Sequence, residues 1–139
     1  MISTELAASM YQAISSTTIF LQATNEFDCW ALDSMFINVT PLYDFYVPSA
    51  FSPDGNGIND FFRFYPSGAV AKIHSFSIFD RWGGLIFRDT AIDDALTYVG
   101  WDGRVNGKRA QVGVYCYMIE VSFLDGVRKV FAGDVTLFR

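Results

Sequence analysis

Basic residues are missing from the first third of the chain. Positions 1–44 hold Glu5, Glu26, Asp28, Asp33 and Asp44 but no Lys or Arg, and the remaining acids balance the ten bases. The net charge of −5 therefore sits in that first segment, and no basic stripe exists to follow a phosphate backbone, which excludes nucleic acid as a partner. Proline is scarce at four, and charged residues make up only 18%. No run of 18 apolar residues occurs, so the sequence offers no transmembrane segment of its own. Met1 opens neither a basic n-region nor an unbroken apolar h-region; if the parent protein is exported, the chain is expected to be a fragment of it. There is one histidine, and G-x-S-x-G, H-E-x-x-H and C-x-x-C are all absent, so neither a nucleophile elbow nor a zinc site is signalled and no catalytic residue is assigned. The two cysteines, Cys29 and Cys116, can pair only if the fold brings their Cα atoms within about 7 Å.

Apolar residues make up 51% of the 139 positions and aromatics 17%, enough for one core of a β-rich globular protein. Strand-like runs occur at 17–24 and 34–40, with turn-prone residues between them. Two strands do not stabilise themselves in water, so this pair either joins the downstream domain or closes a truncated neighbour. Beyond Tyr46, runs at 60–65, 72–80, 85–88, 113–124 and 127–138 alternate with Gly-rich turns. Asp125-Gly126 between the last two predicts a two-residue hairpin link. Alternation assigns Tyr115, Tyr117, Ile119, Val121 and Phe123 to a core face, and Val114, Cys116, Met118, Glu120 and Ser122 to the other. Only residues 6–14 show a weak helical period. The pattern predicts an all-β fold, an antiparallel immunoglobulin-like β-sandwich of about seven strands.

His74 alternates with Phe76 and Ile78 in IHSFSIF and is expected as a strand histidine at a sheet margin, with Ser75 and Ser77 on the opposite face. The loop in AFSPDGNGINDFF, positions 50–62, has two competing readings. Asp54, Asn56 and Asp60 offer hard oxygens with the spacing of a calcium loop, but the bidentate Glu that closes such a loop is missing, since Tyr65 stands there. Alternatively the same residues make a turn held by Asx hydrogen bonds, with glycine at positive φ and Phe51, Phe61 and Phe62 as anchors. No cofactor is required; calcium is the one ion these oxygens suit. Trp82, in Arg81-Trp82-Gly83-Gly84, and Trp101, in Gly100-Trp101-Asp102-Gly103, are both expected to pack over the ends of the sandwich, with an exposed docking anchor as the alternative. Asn106-Gly107 is a turn signal.

In order along the chain stand VPSAFSPDGNGINDFFRF, FSIFDRWGGLIF, GWDGRVNGKRAQVGVYCYMIEV and DGVRKVFAGDVTLFR. This series resembles the gliding motility-associated C-terminal domain, the type B sorting domain of the type IX secretion system, over residues 45–139. The resemblance places family motif positions at Phe51, Pro53, Gly55, Gly57, Asn59 and Asp60, at Arg81, Trp82 and Gly83, and at Trp101, Asp102, Gly103 and Gly107. The final matches are Gly113, Tyr115, Gly133, Val135, Leu137 and Arg139. The chain departs from the family where Asp54-Gly55-Asn56-Gly57 replaces Asn-Gly-Asp-Gly, where Asp80 replaces a common Asn, and where Cys116 replaces an apolar residue.

What the resemblance implies is a label read by protein partners, not an enzyme. Such a domain directs a large exported protein through the outer-membrane type IX translocon and helps attach it to the cell surface or accompanies it outward. The implied partners are that translocon and a PorP/SprF-type outer-membrane barrel protein, with cargo domains upstream in the same chain. Strand addition at the C-terminal strand is one mode of binding it suggests. Residues 1–44 resemble the closing strands of an immunoglobulin- or PKD-like repeat plus a linker; Cys29 would then match that repeat's second cysteine, its partner lying upstream. The alternative function is a surface adhesin or carbohydrate-binding module using Trp82, Trp101, Tyr98 and Tyr115.

Overall fold

A computed structural model describes residues 10–40, 42–90 and 92–139. The chain divides into two compact units, Met1–Pro41 and Leu42–Arg139. The weak helical period at 6–14 falls partly outside the described residues, and its described part, 10–14, is not helical.

In the first unit β1 (Thr17–Thr24) pairs antiparallel with β2 (Trp30–Ile37) over eight residues. Strand β2 begins four residues before the expected position, because pairing with β1 continues to Trp30 opposite Thr24 and overrides the turn preference of Asp33. The Asn25 side chain closes the connection by accepting from the N–H groups of Phe27 and Cys29, each at 2.9 Å. Large apolar side chains lie exposed on both faces of this hairpin, among them Phe20, Leu21, Trp30 and Met35. Cys29 and Cys116 are both free and exposed.

The second unit is all-β. Its strands are β3 (Phe45–Tyr46), β4 (Ala50–Phe51), β5 (Tyr65–Pro66), β6 (Val70–Phe79), β7 (Leu85–Asp89), β8 (Arg104–Val105), β9 (Lys108–Arg109), β10 (Gly113–Phe123) and β11 (Arg128–Leu137). A five-stranded sheet in the order β4-β11-β10-β6-β7 forms the main layer, with β3-β5 and β8-β9 as small separate ladders. All pairings are antiparallel except β4 with β11. Strands β10 and β11 run in register from Gly113 opposite Leu137 to Ser122 opposite Arg128.

The core lies on one face of this sheet. Ile119 and Val121 from β10, Phe76 and Ile78 from β6, and Val135 and Leu137 from β11 are fully enclosed there. Phe51, from β4 at the edge of the same sheet, joins them, and Phe62, Phe64 and Trp101 cover them from the opposite layer. Ring contacts chain through this layer, Phe51 to Trp101 at 5.4 Å, Phe62 to Phe76 at 5.7 Å and Trp101 to Tyr115 at 5.3 Å. The core face predicted for β10 is the buried one, with Tyr117 half-buried and Val114, Cys116 and Met118 exposed on the reverse.

Four local expectations change. Residues 60–64 do not form a strand: the buried–exposed alternation is present, but the segment crosses over the core face with Trp101 as the bridge partner of Phe62, and pairing resumes at Tyr65, the first residue of β5. Phe62 anchors the preceding loop as expected, whereas Phe61 is 44% exposed. His74 is the extra residue of a bulge, because Glu120 faces Ser75 while Val121 faces Ile73. The bulge moves His74 off the face of Phe76 and Ile78, and its Nε2 lies 2.9 Å from Ser122 Oγ. The β10–β11 connection has three residues, not two: Gly126 N–H donates to Phe123 O and Phe123 N–H to Val127 O, with Gly126 at φ 86° taking the bulge position after a tight turn.

Candidate functional site

Topology gathers the motif positions at one end of the sheet. Strand β10 begins at Gly113, opposite Leu137 near the end of β11, and β6 finishes beside it with Phe79 opposite Cys116. Strand β4 runs parallel to β11, so the chain leaving Phe51 emerges at that same end. The 52–60 loop, the 80–84 hairpin, the β8–β9 region and Arg139 therefore share it.

The 52–60 loop builds itself from its own polar groups. Asp60 uses both carboxylate oxygens, accepting from Gly55 N–H and Gly57 N–H at 2.7 Å each. Asp54 accepts from Asn56 N–H at 3.0 Å, and Asn56 Oδ1 from Ile58 N–H at 2.7 Å. These are successive Asx turns, with Gly55 at φ 86°, Gly57 at φ 87° and Asn59 at φ 54°. Calcium demands six to eight oxygens, and the side chains of Asp54, Asn56 and Asp60, which here accept N–H bonds, supply only part of such a set. Among the described residues, no group of three or more His, Cys, Asp or Glu is placed to hold a metal ion. The arrangement is a self-supported turn.

Behind this loop the motif glycines allow close packing. A side chain at Gly103 would meet Pro53, Leu137 and Phe51, so those three positions and Gly103 form one contact. One residue before Trp101, Gly100 sits at φ 93°, where a Cβ would collide with the Phe62 carbonyl. Trp101 is fully buried and donates from Nε1 to Arg104 O at 2.8 Å, while Asp102 Oδ1 accepts from Arg104 N–H at 3.0 Å. Asn106 and Gly107, both at positive φ, turn β8 into β9 as the mirror-image two-residue link that right-twisted strands favour. Arg139 Nη1 donates to Ala110 O at 2.9 Å and ties the last residue to this region. A shallow cleft of about 270 Å³ lies between the loop and β8–β9, lined on its charged side by Asp54, Asp60 and Asp102 and by Arg104, Arg109 and Arg139.

At the other side of this end, Asp80 N–H donates to Gly84 O and Gly83 N–H to Asp80 O. The Asp80 carboxylate accepts from both Trp82 N–H and Gly84 N–H, at 2.9 and 2.8 Å. Asp80 supplies the acceptor that the more common Asn would supply. Gly83 at φ 82° completes the same three-residue turn found between β10 and β11. The turn lifts Trp82 to its tip, 87% exposed, so the packing expected for this ring is not what the fold does with it. The Arg81 guanidinium reaches back to within 3.9 Å of where a Cβ of Gly113 would stand.

The motif positions thus divide. Phe51, Trp101, Val135 and Leu137 are core; Gly103 and Gly133 are close-approach sites, with Tyr117 lying over Gly133; Arg81, Trp82, Gly55, Gly57 and Asn59 are surface. Burial, and after it the Asp134 charge, raises the Tyr117 hydroxyl above its ordinary pKa. Gly100, outside the predicted set, is as demanding as any of them, and its signal was the residue directly before a buried Trp. The four rings considered for sugar binding form no exposed platform, since Trp101 and Tyr115 are buried and Tyr98 is half-buried against Phe64.

The family model of the CHU_C type IX secretion signal domain matches residues 45–137. The chain belongs to this family. A comparison with curated proteins finds no match. As a type IX secretion signal domain, the matched region is a sorting module, its family is not an enzymatic one, and it implies export by a secretion system with which it must interact. Among the described residues no helix is long and apolar enough to cross a membrane.

Proposed function

We infer that the second unit directs a large upstream protein through the outer-membrane type IX translocon and helps attach it at the cell surface, with a PorP/SprF-type barrel protein as its dedicated partner. The observation that carries this is the placement of the exposed Trp82 at the same end of the sheet as the self-supported 52–60 loop and Arg139. Trp and Arg, here adjacent and solvent-facing, are both among the residue types enriched at binding hot spots. The buried motif positions act through it indirectly, by holding the turns in shape. The loop needs no ion for this role, and no catalytic step is assigned.

The first unit fits the closing strands of an immunoglobulin- or PKD-like repeat. A two-stranded ribbon with apolar side chains on both faces lacks the opposing layers such strands require. The upstream cargo would supply them.

Placing the whole chain at the C-terminus of a signal-peptide-bearing reporter, in a host with type IX machinery, tests the sorting role. The reporter is expected outside the cell or on its surface. Accumulation in the periplasm of the competent host contradicts the assignment. Display in a host lacking the translocon would contradict it equally.

A further inference from the structure

Among the described residues, β11 is paired on its outer side at Thr136 and Leu137, by β4. The bonds from Thr136 N–H to Ser49 O and from Phe138 N–H to Phe51 O fix which backbone groups point outward. By the two-residue period of a strand, the N–H and C=O groups of Arg128, Val130, Ala132 and Asp134 point the same way, and among the described residues none of them is bonded on that side. Natural edges are commonly blunted by proline or an inward-facing lysine. This stretch has no proline, and its inward lysine, Lys129, is committed to the Tyr43 ring, with Nζ 3.8 Å from the centroid.

The open stretch is complementary to itself. Two antiparallel copies can exchange hydrogen bonds only between residues whose groups point outward. The register that uses all four places Arg128 of one copy opposite Asp134 of the other, and Val130 opposite Ala132. Arg128 is already extended along the outer face by its ion pair with Glu120 at 2.9 Å. Val130, at 58% exposure, would be covered. Phe131 falls on the two-fold axis, and the paired stretch ends where Ser49 begins to occupy the edge. Sliding the register by two residues in one direction runs into β4, and in the other separates the opposite charges and leaves Asp134 facing the turn residue Gly126.

We propose that the domain forms a two-fold dimer through the open edge of β11, joining two five-stranded sheets into one continuous sheet through about eight inter-copy hydrogen bonds. The occupant is a second copy of this chain, selected by the Arg128–Asp134 charge match and by the length of the open stretch. The edge is separate from Trp82 and the 80–84 hairpin, so a dimer would present two recognition ends at once.

Analytical ultracentrifugation of the whole chain, from micromolar to millimolar concentration, is the test. The mass is expected to double with concentration. Ala132→Pro, which among the ladder groups removes an outward N–H, and Asp134→Arg are each expected to return the monomer. The double variant Arg128→Asp/Asp134→Arg restores the opposite charges and is expected to restore the dimer. In the dimer, amide exchange slows at Val130, Ala132 and Asp134 and is unchanged at the odd-numbered residues between them. A monomer at millimolar concentration overturns the proposal. So does a dimer that survives both single variants, which would lie on another surface such as the β1–β2 hairpin. Failure of the charge-swapped pair to recover overturns the register.

Discussion

The two tryptophan motifs of this domain are alike in sequence and opposite in structure. Trp101 and Trp82 each stand beside glycine and a charged residue, and each lies at the motif end of the sheet. Trp101 is wholly enclosed, in ring contact with Phe51, Phe87 and Tyr115; Trp82 stands free at the tip of a hairpin. The difference comes from the backbone around them. Gly100 lets the chain press against Phe62, with Trp101 N–H donating to Phe62 O at 2.9 Å and Phe62 N–H to Trp101 O at 2.8 Å, so the ring is drawn into the core. Asp80 and Gly83 make a tight turn that leaves Trp82 nowhere to pack. A motif shared by a family can therefore mark a residue that holds the fold or one that is displayed by it.

Replacing each ring in turn should break the comparison most sharply. Trp101→Ala removes the largest buried side chain and is expected to cost about 3–5 kcal/mol of stability. Trp82→Ala is expected to stay within about 0.5 kcal/mol of the parent in the same denaturant series, because the ring has so little to lose. Comparable losses from both variants would show that Trp82 packs.

The glycines sharpen the same contrast. Gly100→Ala forces a Cβ into a backbone carbonyl and should destabilise by several kcal/mol, on the order of a severe core substitution. Gly83→Ala meets open space and bears only the left-handed backbone cost, about 1–2 kcal/mol. Thermal melts of the two variants would rank them, and an equal ranking would refute the close approach at Gly100.

Smaller effects separate the loop from the sheet that carries it. Asp60→Ala frees two exposed N–H groups to water and should cost about 1 kcal/mol, with the melting temperature of the parent unmoved by millimolar calcium. A calcium-dependent rise abolished by Asp60→Ala would instead assign the loop an ion.

The smallest expected change lies at the far end of the sheet, where the Tyr43 hydroxyl donates to Asp125 at 2.7 Å. That bond is the main cause holding the Asp125 carboxyl below its usual 3.8, and the same bond, ahead of desolvation, raises Tyr43 above 10.0. A lowered carboxylate pKa stabilises the fold above the unfolded value, and the contribution is lost as pH falls through the folded one. A raised tyrosine pKa stabilises below its unfolded value, and that contribution is lost as pH climbs past the folded one. The stability gap between the parent and Tyr43→Phe should therefore be widest between about pH 4 and pH 10 and close on both sides. A gap independent of pH would mean the bond is not its source.

Much of this architecture is legible in the sequence, because strands that are buried on one face announce themselves. Strand β10 alternates from Tyr115 to Phe123 without a fault, and Thr17–Thr24 matches β1 residue for residue. What resists is set by single backbone events. One extra residue at His74 reverses a side-chain period, and the apolar alternation of 60–65 looks the same whether its backbone bonds to a strand or merely to Trp101. Tyr43 and Asp44 belong with the second unit and not with the segment before it, through Asp125 and through Asp44 O accepting from Ser67 N–H at 3.1 Å; no local pattern carries a contact across so many residues. The family was legible in the ordered motif positions, while their division into buried and displayed was not, since glycine and tryptophan serve both.

The most direct test of the displayed end is secretion of the reporter fusion carrying Trp82→Ala, in a chain whose melting temperature matches the parent. The account predicts that the folded variant stays in the periplasm while the parent reaches the surface. Parent-level export of that variant would contradict it.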